Sequence, residues 1–396
     1  MEGPLKGIRI LDLTQYVAGP YCSMMLGDLG AEVIKIEPVE RGDIYRVQGP
    51  NFINGEATSF LGVNRSKKSM TLNLKSPEGY KIALELVNLV DVVIENFKPG
   101  TAEKLGLGYE KLKEINPRIV YASISGYGQT GPDANRGGYD LMAQGRSGMM
   151  WVTGTPESPP CKVGVPVVDM GAAMYAALGI VSALLVREKS GKGQMIDVSL
   201  LDTAVSWFPI LLMEFQATRR IPGKIGSASP LFAPYQAFKA KNGYINVIGT
   251  GGKDHWDRFC RALGHEEWIT DPRFADNPDR IAHLDELTKM IEEVLSTATV
   301  EDWIKCLSSF GLACDPLQTI DQMMADPQIL AREMIVEKEH PVAGPLKFTG
   351  IPIKFSETPG KITQLPPMKG EHTKAILSEL GYTPNEIDDF EKRNII

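Results

Sequence analysis

The sequence predicts an α/β protein, with a mostly parallel sheet covered by helices on both faces. Two observations predict it. Short β-branched runs recur through the first 200 residues, at Ile8–Leu13, Glu32–Glu37, Met70–Leu74, Asp91–Glu95 and Ile119–Ser125. The first four are followed by amphipathic or Ala/Leu-rich segments, and this βαβ rhythm favours parallel strands joined by helical crossovers. Ligands of such sheets bind beyond the carboxyl ends of the strands, so chemistry is expected in the βα loops.

After Asp202 the texture changes to an apolar and aromatic run (Trp207–Phe215), a basic, Gly-containing hinge (Arg219–Gly226) and a strand-like Gly243–Gly249. From Lys253 to Val336 the pattern is helical, with turn signals at Asp271-Pro272, Asn277-Pro278 and Asp326-Pro327, which reads as a second domain. Pro and Gly return over Pro341–Pro359 and Pro366–Gly370, and a short amphipathic helix is expected at Thr373–Leu380. Met170–Val186 is 17 residues without a charge, at the lower bound of a membrane span of about 17–25 residues. Its richness in Ala and Gly, and its isolation, favour a buried core helix.

Composition excludes several function classes. The 396 residues carry 42 Lys+Arg against 49 Asp+Glu, a net charge of −7 without long like-charge runs. This gives neither an electrostatic footprint for nucleic acid nor a polybasic patch for a membrane, so small-molecule substrates are expected. The five cysteines stand singly, with no metal-knuckle or disulfide spacing, and the N-terminal segment does not read as a secretory signal. A cytoplasmic protein with reduced thiols is expected. The five histidines are His255, His265, His283, His340 and His372. A Ser-His-Asp or Cys-His site within the sheet domain before residue 255 is therefore excluded, no metal-ligand spacing is present, and proton transfer there falls to Asp, Glu, Lys or Tyr.

Gly126-Tyr127-Gly128-Gln129-Thr130-Gly131 fits a dinucleotide-binding fingerprint after a strand-like run. Pro132, Asp133, Asn135, Gly137 and Gly138 follow where a helix should open, so NAD is not expected. Gly249-Thr250-Gly251-Gly252-Lys253 resembles a P-loop only at its end; a close backbone approach to ligand, a lid or an ordinary turn are its open readings. Asp169 ends the apolar, strand-like Val163–Val168 and precedes the long helix expected from Met170. It reads either as a plain N-cap or as a nucleophile, kept ionised by the helix dipole while poorly hydrated.

Several segments taken together carry a resemblance. They are Val17-Ala18-Gly19-Pro20, Gly30–Glu37, Asn64-Arg65-Ser66-Lys67-Lys68-Ser69, Glu95-Asn96-Phe97-Lys98-Pro99-Gly100, Ser125–Gly128 with Gly131-Pro132, Gly138-Tyr139-Asp140 and Val165–Asp169. The chain resembles the class III coenzyme A transferases over nearly its whole length. The resemblance implies a Rossmann-like large domain (1–200, completed by 335–396), a linker (201–226) and a smaller α+β domain (227–334), with two subunits threaded as interlocked rings. It implies Asp169 as the nucleophile that carries an acyl anhydride and then CoA, with Gly251 and Gly252 in a loop that closes over the site. Coenzyme A enters as a substrate, with neither metal nor NAD.

Contacts to CoA implied by the resemblance are Val17 and Ala18; Leu72, Asn73, Leu74 and Lys75; Asn96, Phe97 and Lys98; Lys104; and Gly137, Gly138, Tyr139 and Asp140. Arg41 and Arg136 stand near positions where relatives hold the CoA phosphates with basic residues. Val17 replaces the glutamine, and Gln48 stands near the tryptophan, of oxalate-using members. With Met149, Met150 and Trp151, this favours a larger, partly apolar or aromatic acid over oxalate, of benzylsuccinate, cinnamate or dicarboxylate type, with succinyl-CoA as donor. The partner is a second copy or a paralogue. Two alternatives remain: an α-methylacyl-CoA racemase, in which Tyr139 stands where a histidine belongs, and a CoA-binding subunit of a heteromeric transferase.

Overall fold

The structure, a computed structural model, describes residues 3–251 and 254–396. It divides into one unit of Met1–Met149, Lys162–Arg219 and Leu330–Ile396 and a second of Met150–Cys161 and Arg220–Ile329. Residues 201–219, read above as part of a linker, belong to the first unit and carry the helices Leu200–Ser206 and Pro209–Thr218.

The first unit is built on a six-stranded sheet in the order Lys68–Thr71, Glu32–Glu37, Arg9–Asp12, Val92–Glu95, Val120–Ser125, Met195–Ser199, every pair parallel. In chain order this is 3-2-1-4-5-6, a doubly wound sheet whose winding reverses between its first and fourth strands. Successive side chains point to opposite faces, and both faces are apolar because both are covered. Leu11, Ile34, Met70, Val93 and Tyr121 pack with Ile82, Ala83, Leu86 and Val87 of the helix Pro77–Leu89. Ile10, Val33, Val92, Val120 and Ala122 pack on the other side with Ala172, Ala173, Ala176 and Ile180 of the helix Val167–Ser190. Ile376, Leu377, Ile387, Phe390, Ile395 and Ile396 complete the first of these cores, so the end of the sequence packs on the strands at its beginning.

Two expectations are corrected. Val163–Val168 forms no strand: Gly164 and Pro166 disfavour regular pairing, and the helix begins at Val167 rather than Met170. Asp169 is thus the third residue of the first turn, not its N-cap. The edge strand Met195–Ser199, absent from the sequence reading, pairs with Val120–Ser125. The long helix is the one described helix apolar enough to cross a membrane by length and composition. One side of it is core, while Met174, Leu178, Leu185 and Val186 on it are more than half exposed.

The second unit has a three-stranded antiparallel sheet in the order Ala313–Pro316, Gly243–Ile248, Tyr235–Ala240. Helices His255–Leu263, Leu284–Leu295 and Val300–Ser309 bury Phe259, Leu287, Ile291 and Leu307 against Phe238, Ile245 and Val247.

Candidate active site

The winding reversal separates the loops after Asp12 and Glu95, and Asn96 ties them together. Its side chain accepts from the Gln15 N–H at 2.9 Å and donates to the Gln15 carbonyl at 2.7 Å. The rest of the first loop is held from beneath. Asp12 accepts from the Thr14 N–H at 2.8 Å, Lys35 Nζ donates to the Thr14 carbonyl at 2.6 Å, and Asp43 accepts from the Tyr16 N–H at 3.4 Å and the Tyr45 N–H at 2.9 Å. Lys35 and Asp43, both side chains at 0% exposure, pair at 2.8 Å. Glu37 holds Arg46 at 2.7 Å just beyond, and so fixes the single turn Ile44–Arg46 that carries Tyr45.

Above this base lies a cavity of about 350 Å³. Its lining brings together eleven of the residues expected at the site. Val17 and Ala18 come from the first loop and Asn96, Phe97 and Lys98 from the fourth-strand loop. Gly137, Gly138, Tyr139 and Arg136, together with Arg41 and Asp169, complete this set. A second cavity of about 470 Å³ holds Leu72, Asn73, Leu74 and Lys75 with Asn394. Gln15, Arg41 and Phe97 line both cavities. Gly126 and Gly138 explain the glycine-rich motif: a Cβ on Gly126 would lie 2.5 Å from the Cα of Gly138, so the two backbones cross where only glycine fits.

Asp169 is half-buried, and burial first, then the neighbouring Asp140 charge, push its carboxyl up to about 7. The helix terminus therefore does not hold it in the ordinary carboxylate range, because poor hydration outweighs the favourable dipole. The capping falls to Asp140, which accepts from the Val168 N–H at 2.9 Å and the Asp169 N–H at 3.4 Å. Asp140 also accepts from Gln144 at 2.5 Å, whose carbonyl oxygen accepts from the Val163 N–H at 2.9 Å. Expected beside CoA, Asp140 is instead buried behind the cavity wall.

Lys104, exposed at the end of the short helix Thr101–Lys104, lines neither cavity. Gly251 belongs to the second unit and has φ +153; Gly252 lies outside the described residues. Gln48, Met149, Met150 and Trp151 do not line the Asp169 cavity, and Trp151 donates instead to the Pro222 carbonyl at 3.0 Å. Sequence reasoning missed Tyr16 and Tyr45. Their rings meet edge-on at 5.5 Å, and Tyr16 meets Tyr139 at 6.0 Å. The signal available was Tyr16 beside Val17 in the first βα loop, the position where a doubly wound sheet binds ligand.

The arrangement combines a carboxylate with raised basicity, a cavity of substrate size and a groove carrying apolar and basic groups. Comparison with known proteins gives the family. The sequence profile of CoA-transferase family III matches residues 5–373. A human succinyl-CoA:glutarate CoA-transferase is 38% identical over 377 residues, covering 95% of this chain and 86% of that protein. An acetyl-CoA:oxalate CoA-transferase of Acetobacter aceti is 39% identical over 356 residues, 90% of each. The crystal structure of a CAIB/BAIF family protein from Brucella suis superposes with a TM-score of 0.87 at 37% identity, covering 96% of this chain and all of that one. With a profile that runs through both units and relatives aligned along nearly their full lengths, this chain belongs to CoA-transferase family III and is a CoA-transferase acting on acyl-CoA and carboxylate substrates.

Proposed function

We propose that the enzyme transfers CoA from succinyl-CoA to a dicarboxylic acid of about glutarate size through covalent intermediates on Asp169. The observation that carries this reading is the Asp169 carboxyl in the wall of a 350 Å³ cavity that shares Gln15, Arg41 and Phe97 with the neighbouring groove. A nucleotide in the groove and an acyl-pantetheine arm in the cavity fit that continuity. Lys75, Lys98 and Arg136 supply positive charge for the CoA phosphates. Both curated relatives named above are dicarboxylate enzymes by name, and Val17 in the wall favours the longer acid over oxalate.

In the first step an Asp169 oxygen attacks the succinyl thioester carbonyl; the C–S bond breaks, giving a mixed anhydride and CoA thiolate. The thiolate attacks the aspartyl carbonyl, succinate leaves, and Asp169 carries CoA as a thioester. The acceptor carboxylate displaces the thiolate to form a second anhydride. Attack of the thiolate on the acceptor carbonyl then yields the new acyl-CoA and the free Asp169 carboxylate. No water is consumed, so the thioester free energy is kept while the site stays dry. The raised pKa makes the ionised carboxylate more basic than an exposed one and leaves a substantial ionised fraction near neutrality.

The exposed apolar residues Met174, Leu178, Leu185 and Val186 support burial against a second copy in an interlocked homodimer. The free cysteines fit a reducing cytoplasm. Intact-mass spectrometry after mixing with succinyl-CoA, with and without hydroxylamine, tests the mechanism. An acyl or CoA adduct that maps to Asp169 and becomes a hydroxamate supports it; α-proton exchange in deuterated water without an adduct would favour a racemase instead. In an acceptor panel, oxalate or an aromatic monoacid outcompeting glutarate rejects the acceptor assignment.

A further inference from the structure

We propose that Tyr16 determines acceptor specificity: its hydroxyl, with the Arg41 guanidinium in the same cavity, receives the second carboxylate of a dicarboxylic acyl group joined to Asp169 through the first. This rests on the dicarboxylate reading above and names the group that enforces it.

Tyr16 has φ +69, in the left-handed region that side chains other than Gly and Asn seldom adopt. Strained backbone of this kind persists where its surroundings over-determine it, and it clusters at functional sites. Here the surroundings are visible. Gln15 is fixed through both its N–H and its carbonyl by Asn96, and the Thr14 carbonyl is fixed by Lys35. The Tyr16 N–H is fixed by Asp43, which the fully buried Lys35 holds in turn. Two ion-paired side chains at 0% exposure thus serve the placement of one half-buried ring.

That ring stands between Tyr45 and Tyr139, edge-on to both. The three rings offer apolar faces to a short methylene chain and hydroxyl donors to an anion. The Tyr16 hydroxyl titrates above its ordinary range, through burial first and Tyr139 next, while the Arg41 charge acts in the opposite direction. Arg41 has no ion-pair partner among the described residues and lines the Asp169 cavity. A phenol donor beside an unpaired guanidinium matches a carboxylate by charge and by hydrogen bonding.

The test compares kcat/KM for glutarate and for pentanoate, a five-carbon acid without the second carboxylate, both with succinyl-CoA as donor. Taking the ratio cancels any effect on the shared donor. Tyr16→Phe should lower the glutarate-to-pentanoate ratio at least tenfold, and Arg41→Gln should lower it as well. Asp43→Asn, which leaves the Tyr16 hydroxyl in place but weakens its support, should move the ratio in the same direction. A merely structural role would slow both acids together. A wild-type preference for glutarate that survives Tyr16→Phe within twofold overturns the inference and leaves the dicarboxylate reading standing. A wild-type enzyme without that preference overturns the reading itself, and the inference with it.

Discussion

Substituting Asp140 by Asn and, separately, by Ala tests whether one carboxylate both caps the long helix and raises the pKa of Asp169. In the Ala variant the Val168 N–H and the Gln144 amide lose acceptors now at 2.9 and 2.5 Å. A lost cap costs about 0.5–2 kcal/mol and a stranded buried donor about 1–3 kcal/mol. Asn keeps one oxygen for the Val168 N–H but turns an amide donor toward the Gln144 amide, so it should recover the cap and leave the Gln144 donor stranded. The charge behaves differently, because both variants remove it. Asp169 rises from 3.8 to about 7 with burial as the larger cause and Asp140 as the second. Asp140 is the smaller of the two causes, so the midpoint should fall in both variants yet stay above the ordinary carboxylate range. The nucleophile reacts as carboxylate, so anhydride formation gains rate with pH around this midpoint, and both variants should reach their plateau at lower pH. Quenched-flow mass spectrometry of the Asp169 adduct between pH 5 and 8.5 reads the midpoint, and thermal denaturation reads the cap. An Asn variant with an unmoved midpoint, or an Ala variant as stable as the wild type, refutes the argument.

Other substitutions probe the same framework. Asp169→Asn should remove the covalent adduct and lower turnover by at least about 10³-fold, as loss of a nucleophile does, read by intact mass and steady-state rate. Glu95 is pushed up to about 7 by burial while it accepts from the Phe97 N–H at 2.7 Å. A raised carboxyl binds its proton more tightly when folded, so its stabilisation is present below about pH 4.5 and lost as pH rises through 7; denaturant titrations at pH 5 and 8 should differ less in Glu95→Gln. Lys35→Met strands the buried Asp43 charge and should cost about 3–5 kcal/mol, and Asp43→Asn added to it should return part of this in thermal melts. Gly126→Ala places a methyl 2.5 Å from the Gly138 Cα, so a loss of about 1–3 kcal/mol and a raised KM for acyl-CoA are expected.

The sheet was legible because parallel strands buried on both faces read as continuous apolar runs. Glu32–Glu37 matches its expected bounds, and the runs at Ile8, Asp91 and Ile119 begin within one residue of the observed strands. The edge strand Met195–Ser199 was illegible because its partly exposed residues alternate with its more covered ones and it draws its identity from pairing with Val120–Ser125. Val163–Val168 misled for the opposite reason, having strand-like composition without a ladder to join. Asp169 and Asn96 could be singled out from motifs. The division of labour between Asp169 and Asp140, and the tyrosines at the cavity, arise from residues more than 20 positions apart, and no local pattern encodes them.

The core shared by Tyr121 and Ile376 also sets an order of events during synthesis. Ile376 follows Tyr121 by 255 positions, about 13–50 s of translation at typical rates. Through that interval the nascent sheet carries an uncovered apolar flank, and the Asn73 N–H lacks the Ile395 carbonyl that later accepts from it at 2.8 Å. The second unit, whose main stretch is the continuous Arg220–Ile329, emerges in the meantime with a core of its own. The first unit therefore waits for the residues that complete its core until the second has emerged, and chaperone dependence should be greatest for chains halted before residue 376.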